Sequence, residues 1–540
     1  MSSDKQAFGG PDVFRVIDKR LPILPEAGLI FVIVGFALAM LAFPENPGEP
    51  GNLRISGLLM AGGLAGGVVL AVLRNPLTLF RCEHILVLSP IYWLLLDIIQ
   101  GHYHLHDAPP ESIRLAFVAI AIFGVCVWTM VFFTRVYHPA IVSRSAAIPL
   151  SAELIWRVIL ICFTLAFLRF AIPSNFNLFL MIEALGRNRW AAPWARGAFG
   201  GWDSFIDHLA YFGYLLPALT VLLAVRTRAT HPRVVTAILL TAFLSMFFFQ
   251  GGGRRIFGVM VGSALLTWIL TRKSLRLSSL LWSIVGVVAL LIAMEFMLQA
   301  RSKGASEVIE SGSFEVTKIS VDDNFLRLSQ TISIIPERHD YAYWQQVLFV
   351  AVRPVPRVFW PGKPTTPGFD LPEALGLSGF SLSMSALGEF YVSYGFVGIA
   401  IGSLFYGLIA RFVTLLLAGD VFAARTFLYA LGVMMLFVGM RSMLDLVLTS
   451  YALLAWLAIS WMLAGWLKRQ GLDPTEASHR EEAAPQMVEV PVRLRMPRHQ
   501  AEAFGLLGHS SFHATSFPDT PSPDGDSNPG TVGLPPLRHV

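Results

Sequence analysis

Residues 277–298 read LSSLLWSIVGVVALLIAMEFML, an apolar run whose one formal charge, Glu295, falls near its end. Crossing the hydrocarbon core of a bilayer takes about 20 mostly apolar residues of α-helix. Lipid offers no partner to backbone N–H and C=O groups, so a run of this kind is expected to be helical. Similar runs lie upstream at 27–43, 55–73, 84–100, 114–134, 154–172, 205–225, 234–249 and 256–271. Others follow at 388–410, 426–440 and 446–466, where the break between the last two can be shifted. The expectation is an all-α polytopic membrane protein of about 12 transmembrane helices. Composition agrees: of 540 residues, 54% are hydrophobic and 14% charged, with mean hydropathy +0.60. A soluble domain carries about 25% charged residues, so a soluble multidomain enzyme is excluded.

The connections fix an orientation. Arg74/Arg81, Arg135/Arg144, Arg226/Arg228/Arg233, Arg272/Lys273/Arg276, Arg411/Arg425 and Lys468/Arg469 all fall on one side, as the positive-inside rule expects. Residues 1–26 then form a cytoplasmic segment, polar enough that the first apolar run reads as an uncleaved signal anchor. Helices 1–9 occupy 27–298, a large external loop 299–387, and helices 10–12 388–467. Residues 468–540 hold ten of the 33 prolines and read as a disordered cytoplasmic tail. Both termini are expected inside.

The external loop breaks the charge rule, with Arg301, Lys303, Lys318, Arg327, Arg338, Arg353, Arg357 and Lys363. Long loops translocate regardless of charge, but a loop this long is usually functional or disordered. Phe325, Leu328, Ile332 and Ile335 follow helical spacing behind a cap at Asp322 or Asp323. A second apolar run, Trp344 to Val352, stops at Arg353-Pro354. The loop is expected to be partly helical and folded.

Ionisable residues near membrane segments gather at the external level: Asp97, Arg169, Asp207, His208, Glu295, Arg441 and Asp445. Each alone fits a snorkelling side chain or, for Arg441/Asp445, a helical ion pair. Together with the basic loop they favour an external site for an anion. Gly251-Gly252-Gly253 reads as a tight turn, but the following Arg254 and Arg255 fit a phosphate held by backbone N–H groups and guanidinium forks. His102, His104 and His106 share one face of an extended chain, yet no carboxylate-rich or cysteine motif completes a metal site, and a solvated loop is the plainer reading. Cys82, Cys126 and Cys162 are too scattered for a disulfide framework or redox motif. The formal charge of +5 is dispersed without any nucleic-acid-binding signature. Trp190, Trp194, Trp202, Tyr341, Tyr343, Trp344 and Trp360 fit an interfacial belt or a stacking surface for sugar rings.

Val355-Pro356-Arg357-Val358-Phe359-Trp360-Pro361-Gly362-Lys363-Pro364 is followed by Gly388-Glu389-Phe390-Tyr391-Val392-Ser393-Tyr394-Gly395-Phe396-Val397-Gly398. These stretches resemble the Wzy-type oligosaccharide repeat-unit polymerases, or O-antigen polymerases. Ser393-Tyr394-Gly395 stands where Asn-Phe-Gly is more usual, and the Pro-rich tail also departs from the pattern. The resemblance implies a multi-pass glycosyltransferase of a bacterial inner membrane, needing neither cofactor nor metal. Its donor would be a glycan on undecaprenyl diphosphate and its acceptor another lipid-linked repeat unit. A polysaccharide chain-length regulator and a flippase are the implied partners, beside the bilayer itself.

That chemistry needs fixed cations where the leaving diphosphate develops charge and a base for the attacking hydroxyl. Arg254, Arg255, Arg353, Arg357, Lys363 and Arg441 are the expected cations, with Trp360 and Tyr391 as glycan contacts. Glu389 is the first candidate base, with His339 and Asp340 as alternatives, while a helix-capping carboxylate is the competing reading of Glu389. An O-antigen ligase, a flippase or exporter, and a non-enzymatic assembly component remain as other functions.

Overall fold

The computed structural model describes residues 24–469, apart from short interruptions at 102–103, 134–138, 149, 188–190, 196–202, 251–252, 273–276, 304, 313, 317, 354, 356–358, 365, 378–381 and 418–423. The expected disordered tail, Arg357 and the first two residues of the glycine triplet therefore lie outside the described residues. Among the described residues the regular structure is all helical, without a strand.

Every expected apolar run is a helix. Nine are long and apolar enough to cross a membrane, among the described residues: α2 (Arg54–Arg74), α3 (Cys82–Gln100), α4 (Pro110–Phe132), α5 (Ala152–Ala171), α6 (Phe205–Arg226), α7 (Pro232–Gln250), α9 (Leu281–Ala300), α12 (Ser385–Leu417) and α14 (Met443–Gly465). Two more, α1 (Pro25–Leu41) and α13 (Arg425–Gly439), are apolar but shorter. Between α7 and α9 lies α8 (Arg254–Leu270). The chain is thus a multi-pass α-helical membrane protein. Its lipid side is visible as exposed apolar residues such as Ile33 on α1, Leu239 on α7, Trp282 on α9 and Trp461 on α14.

Association of helices in lipid relies on close packing rather than hydrophobic burial. Helices α1 and α2 show it: a Cβ on Gly35 would lie 2.4 Å from the Cα of Gly63, so the two backbones meet only because both residues are glycine. Helix α12 packs on α4, and α8 packs between α6 and α13.

The expected loop helix is α10 (Asn324–Ile334), ending one residue before Ile335. It is almost wholly buried, packing on α4 and α12, with Phe325 edge-on to Phe117 at 5.4 Å between centroids. Asp323 takes the N-cap position without a side-chain cap bond; its carboxylate pairs with Arg327 instead. The run at Trp344 forms α11 (Gln345–Ala351), which packs on α12 and α14. The 299–387 segment is thus built into the bundle through α10 and α11.

Besides the ionisable residues expected at one level, a further polar cluster lies at the other end of α3. Arg81 and Glu83 are 2% and 1% exposed and form a 3.1 Å ion pair at the start of α3, far from its Asp97 end. Arg411 and Thr414, near the end of α12, bond the same Glu83 carboxylate. Arg81 and Arg411 therefore neutralise a buried acid here; a sequence scan placed them as loop charges because Glu83 meets its partner Arg411 only across 328 residues.

Candidate functional site

The second polar cluster surrounds the turn between α13 and α14. Breaking the chain there leaves the first N–H groups of α14 without helical acceptors, and those groups attract negative charge. The Glu389 carboxylate answers them. One oxygen accepts from the Met443 N–H at 2.5 Å, the other from the Ser442 hydroxyl at 2.9 Å. The Ser442 oxygen in turn accepts from the Leu444 N–H at 3.1 Å, as an N-cap serine does. Glu389 is 8% exposed, so burying its charge requires such donors. Its place is in the second turn of α12, and it caps a different helix from its own.

Arg441, one residue before Ser442, continues the network. Its Nη1 donates to Asp445 at 2.7 Å, and its Nε donates to Asp322. Arg254 donates from Nη2 to the other Asp322 oxygen at 2.9 Å and from Nη1 to the Ser320 carbonyl at 2.9 Å. Arg255 donates to the second Asp445 oxygen. Asp445 is 1% exposed and Arg255 38%, so the chain of charges runs from buried to accessible. Three guanidinium groups face the Asp322 and Asp445 carboxylates, and with the Glu389 carboxylate the charges of the cluster balance. Burial alone would push the Asp322 carboxyl up, but Arg441 and then Arg254 outweigh it and hold it below the usual carboxylate range.

Residues 319–322 are also tied to the bundle beneath. Gln100 exchanges two bonds with Ile319, accepting from its N–H at 2.9 Å and donating to its carbonyl at 3.0 Å. Glu295 accepts from the Ser320 N–H at 3.2 Å and its hydroxyl at 3.3 Å. The loop-to-bundle contact thus uses Asp322, Gln100 and Glu295, none of which stood among the expected site residues.

Four expected site residues, Arg254, Arg255, Arg441 and Glu389, meet here. Of the others, Arg353, Lys363, Trp360, His339 and Asp340 lie elsewhere in residues 299–387, Tyr391 lies on α12, and Arg357 is outside the described residues. The Lys363 ammonium donates to the Arg353 and Val355 carbonyls at 2.9 and 2.8 Å, bracing the turn it belongs to. Arg353 lies over the Phe349 ring at 5.6 Å, and Trp360 is partly exposed. The Tyr391 hydroxyl donates to the Ile335 carbonyl at 3.3 Å. His339 bonds through Nδ1 to the Asp340 carbonyl and packs on Phe369; among the described residues no hydrogen bond or ion pair joins either residue to the Arg441 cluster. The rings of His104 and His106 sit 5.6 Å apart, while His102 lies outside the described residues.

Helix α12 is broken just past Glu389. Tyr394 and Gly395 leave helical geometry, with Gly395 at φ 61°, ψ −142°. The Ala342 N–H satisfies the Val392 carbonyl at 2.9 Å, and Tyr341, Tyr343, Tyr391 and Tyr394 gather around the break. Irregular backbone at a membrane segment is tolerated where protein or a polar cavity surrounds it.

Fold and site together define a multi-pass helical membrane protein with a buried carboxylate and an arginine-rich cluster at one end of its bundle. Comparison of the chain with protein-family models, curated proteins and solved structures gave no match.

Proposed function

We propose that the chain is a membrane glycosyltransferase that polymerises lipid-linked oligosaccharide repeat units, moving a glycan from undecaprenyl diphosphate to an acceptor repeat unit. The observation that carries this is the convergence of Glu389 with Arg254, Arg255 and Arg441 around residues 440–443. In the proposed step an acceptor hydroxyl attacks the anomeric carbon of the donor. The bond from that carbon to the diphosphate oxygen breaks, and the diphosphate leaves with the electron pair. Glu389 takes the hydroxyl proton; the three guanidinium groups then face only two carboxylates, and that positive charge stabilises the leaving group. A carboxylate offers about four acceptor sites, so two cap bonds leave Glu389 able to accept another.

This function places α1, α8 and α13 across the membrane with the nine longer helices, giving twelve crossings, and puts residues 299–387 on the periplasmic side of a bacterial inner membrane. Reconstitution of the full chain with a defined lipid-linked repeat unit tests it. Ladders on the diphosphate lipid are expected. Transfer only to a lipid A–core acceptor would make it a ligase, and translocation without covalent change a flippase.

A further inference from the structure

Tyr451 is 4% exposed, and its hydroxyl has no hydrogen-bond partner among the described residues. A buried unsatisfied phenol is a cost that a fold normally avoids, and it calls for an explanation. Other side chains with an unpartnered atom, such as Arg81 and Asn324, are anchored through their remaining polar atoms. Tyr451, like Trp128 and Thr267, has one polar group and it is unused; Tyr451 also has an arginine within electrostatic reach.

Its surroundings are specific. The His208 ring lies 4.8 Å from the Tyr451 ring at 31°, and Tyr211 meets it edge-on at 4.9 Å and 82°. Held on two sides, the ring fixes where its hydroxyl sits. Arg353, from the end of α11, is within electrostatic reach of Tyr451, and Arg255 is within reach of Tyr211 and Tyr214. Arg255 also binds Asp445, six residues before Tyr451 on α14, or about 9 Å along that helix. An unused hydroxyl within reach of Arg353, on a helix whose first turn is bound by Arg255 through Asp445, is a donor placed for an anion with several oxygens. Leu454, one turn beyond Tyr451, is 50% exposed, and Trp461 and Met462 further along are 79% and 54% exposed. The same helix therefore runs from the hydroxyl to a lipid-facing apolar surface, as an anion carrying a long hydrocarbon chain requires.

We propose that the Tyr451 hydroxyl, held against His208 and Tyr211 beside α11, is a contact for the diphosphate of a lipid-borne substrate. This rests on the glycosyltransferase reading and adds a residue that neither family resemblance nor sequence spacing singles out.

Tyr451→Phe tests it, because it removes the hydroxyl and keeps the ring. If the group serves only the protein fold, its deletion from a buried site without partners costs nothing or stabilises. If it serves the ligand, the loss appears only when ligand binds. The full chain in detergent micelles is titrated with farnesyl diphosphate and, separately, inorganic pyrophosphate. The expected result is an unchanged melting temperature without ligand and about tenfold weaker binding of farnesyl diphosphate by the variant. The same loss with pyrophosphate assigns the contact to the diphosphate alone; loss with farnesyl diphosphate only assigns it to the lipid-borne form. Equal affinities of wild type and variant for both probes would overturn the Tyr451 contact and leave the proposed function standing. A large fall in the variant's melting temperature would also overturn it, since the hydroxyl would then have a partner within the fold. Wild-type protein that binds neither probe would remove both the contact and the diphosphate donor.

Discussion

Glu389→Gln separates two roles that one carboxylate can hold. Glutamine keeps the shape, but one of its two ends is an NH2 group and must face either the Met443 N–H or the Ser442 hydroxyl. The lost cap is expected to cost about 1–3 kcal/mol of stability. Loss of a general base costs about 10²–10⁴-fold in rate, well beyond what that destabilisation does to a protein that still folds. Chain ladders normalised to folded protein should therefore nearly vanish, and near-normal ladders would leave Glu389 as a cap alone. Asp322 makes a second prediction at this scale. Its folded pKa lies below the ordinary value near 3.9, so its carboxylate contributes stability above that pH and loses it as pH falls through the folded pKa. Asp322→Asn should melt lower than wild type at pH 6, and the gap should begin to narrow as pH falls below about 4. A gap that does not narrow at all below that pH would mean that charge is not what Asp322 contributes. Neither pairing was legible in the sequence. Glu389 and Met443 are 54 residues apart, and Asp322 is 68 from Arg254 and 119 from Arg441. The Arg441–Asp445 pair was legible, because a spacing of four residues on one helix brings side chains together without tertiary information.

The helices themselves could be read from hydropathy alone, since lipid leaves the backbone only one way to satisfy itself within such runs. Hydropathy does not report a break that keeps its residues apolar, and so the interruption of α12 escaped. Val392-Ser393-Tyr394-Gly395-Phe396 contains a glycine, but an isolated glycine is common inside membrane helices. What the break requires is the backbone at Gly395, φ 61° and ψ −142°, a region nearly closed to residues with a Cβ. A Cβ there would also come within 3.0 Å of the Tyr341 hydroxyl. Gly395→Ala is expected to destabilise by about 1–3 kcal/mol and to loosen the contact of residues 341–343 with the break. Melting of the purified variant checks this, and an unchanged melting temperature would mean that the helix accommodates the residue by closing its break. The elements of residues 299–387 were legible in part. Periodicity located α10 because its apolar face is regular, but nothing in that pattern revealed how deeply it inserts between α4 and α12.

At the scale of the whole molecule, the two polar clusters give the bundle two chemically different ends. One end holds Glu83 between Arg81 and Arg411, closed off from solvent. The other holds the Glu389–Arg441 network, with Arg255 partly open and the 319–322 segment docked over it. Only the second borders the large loop, so the proposed function requires that end to face the periplasm, where lipid-linked repeat units are polymerised. The charge rule gives the same direction independently, since Arg226, Arg228 and Arg233 join α6 to α7 at the opposite side. Two exposed positions distinguish the sides: Glu337 in the loop and Arg228 in the α6–α7 connection. Cells with a permeabilised outer membrane and intact inner membrane are treated with a membrane-impermeant maleimide. Glu337→Cys should label at once and Arg228→Cys only after the inner membrane is opened. Native Cys82 and Cys162 are buried and should contribute little background. The reverse pattern would put the arginine cluster in the cytoplasm, where an external polymerisation site cannot be. Labelling of both before the inner membrane is opened would mean that an odd number of the three segments between them, α7 to α9, fails to cross.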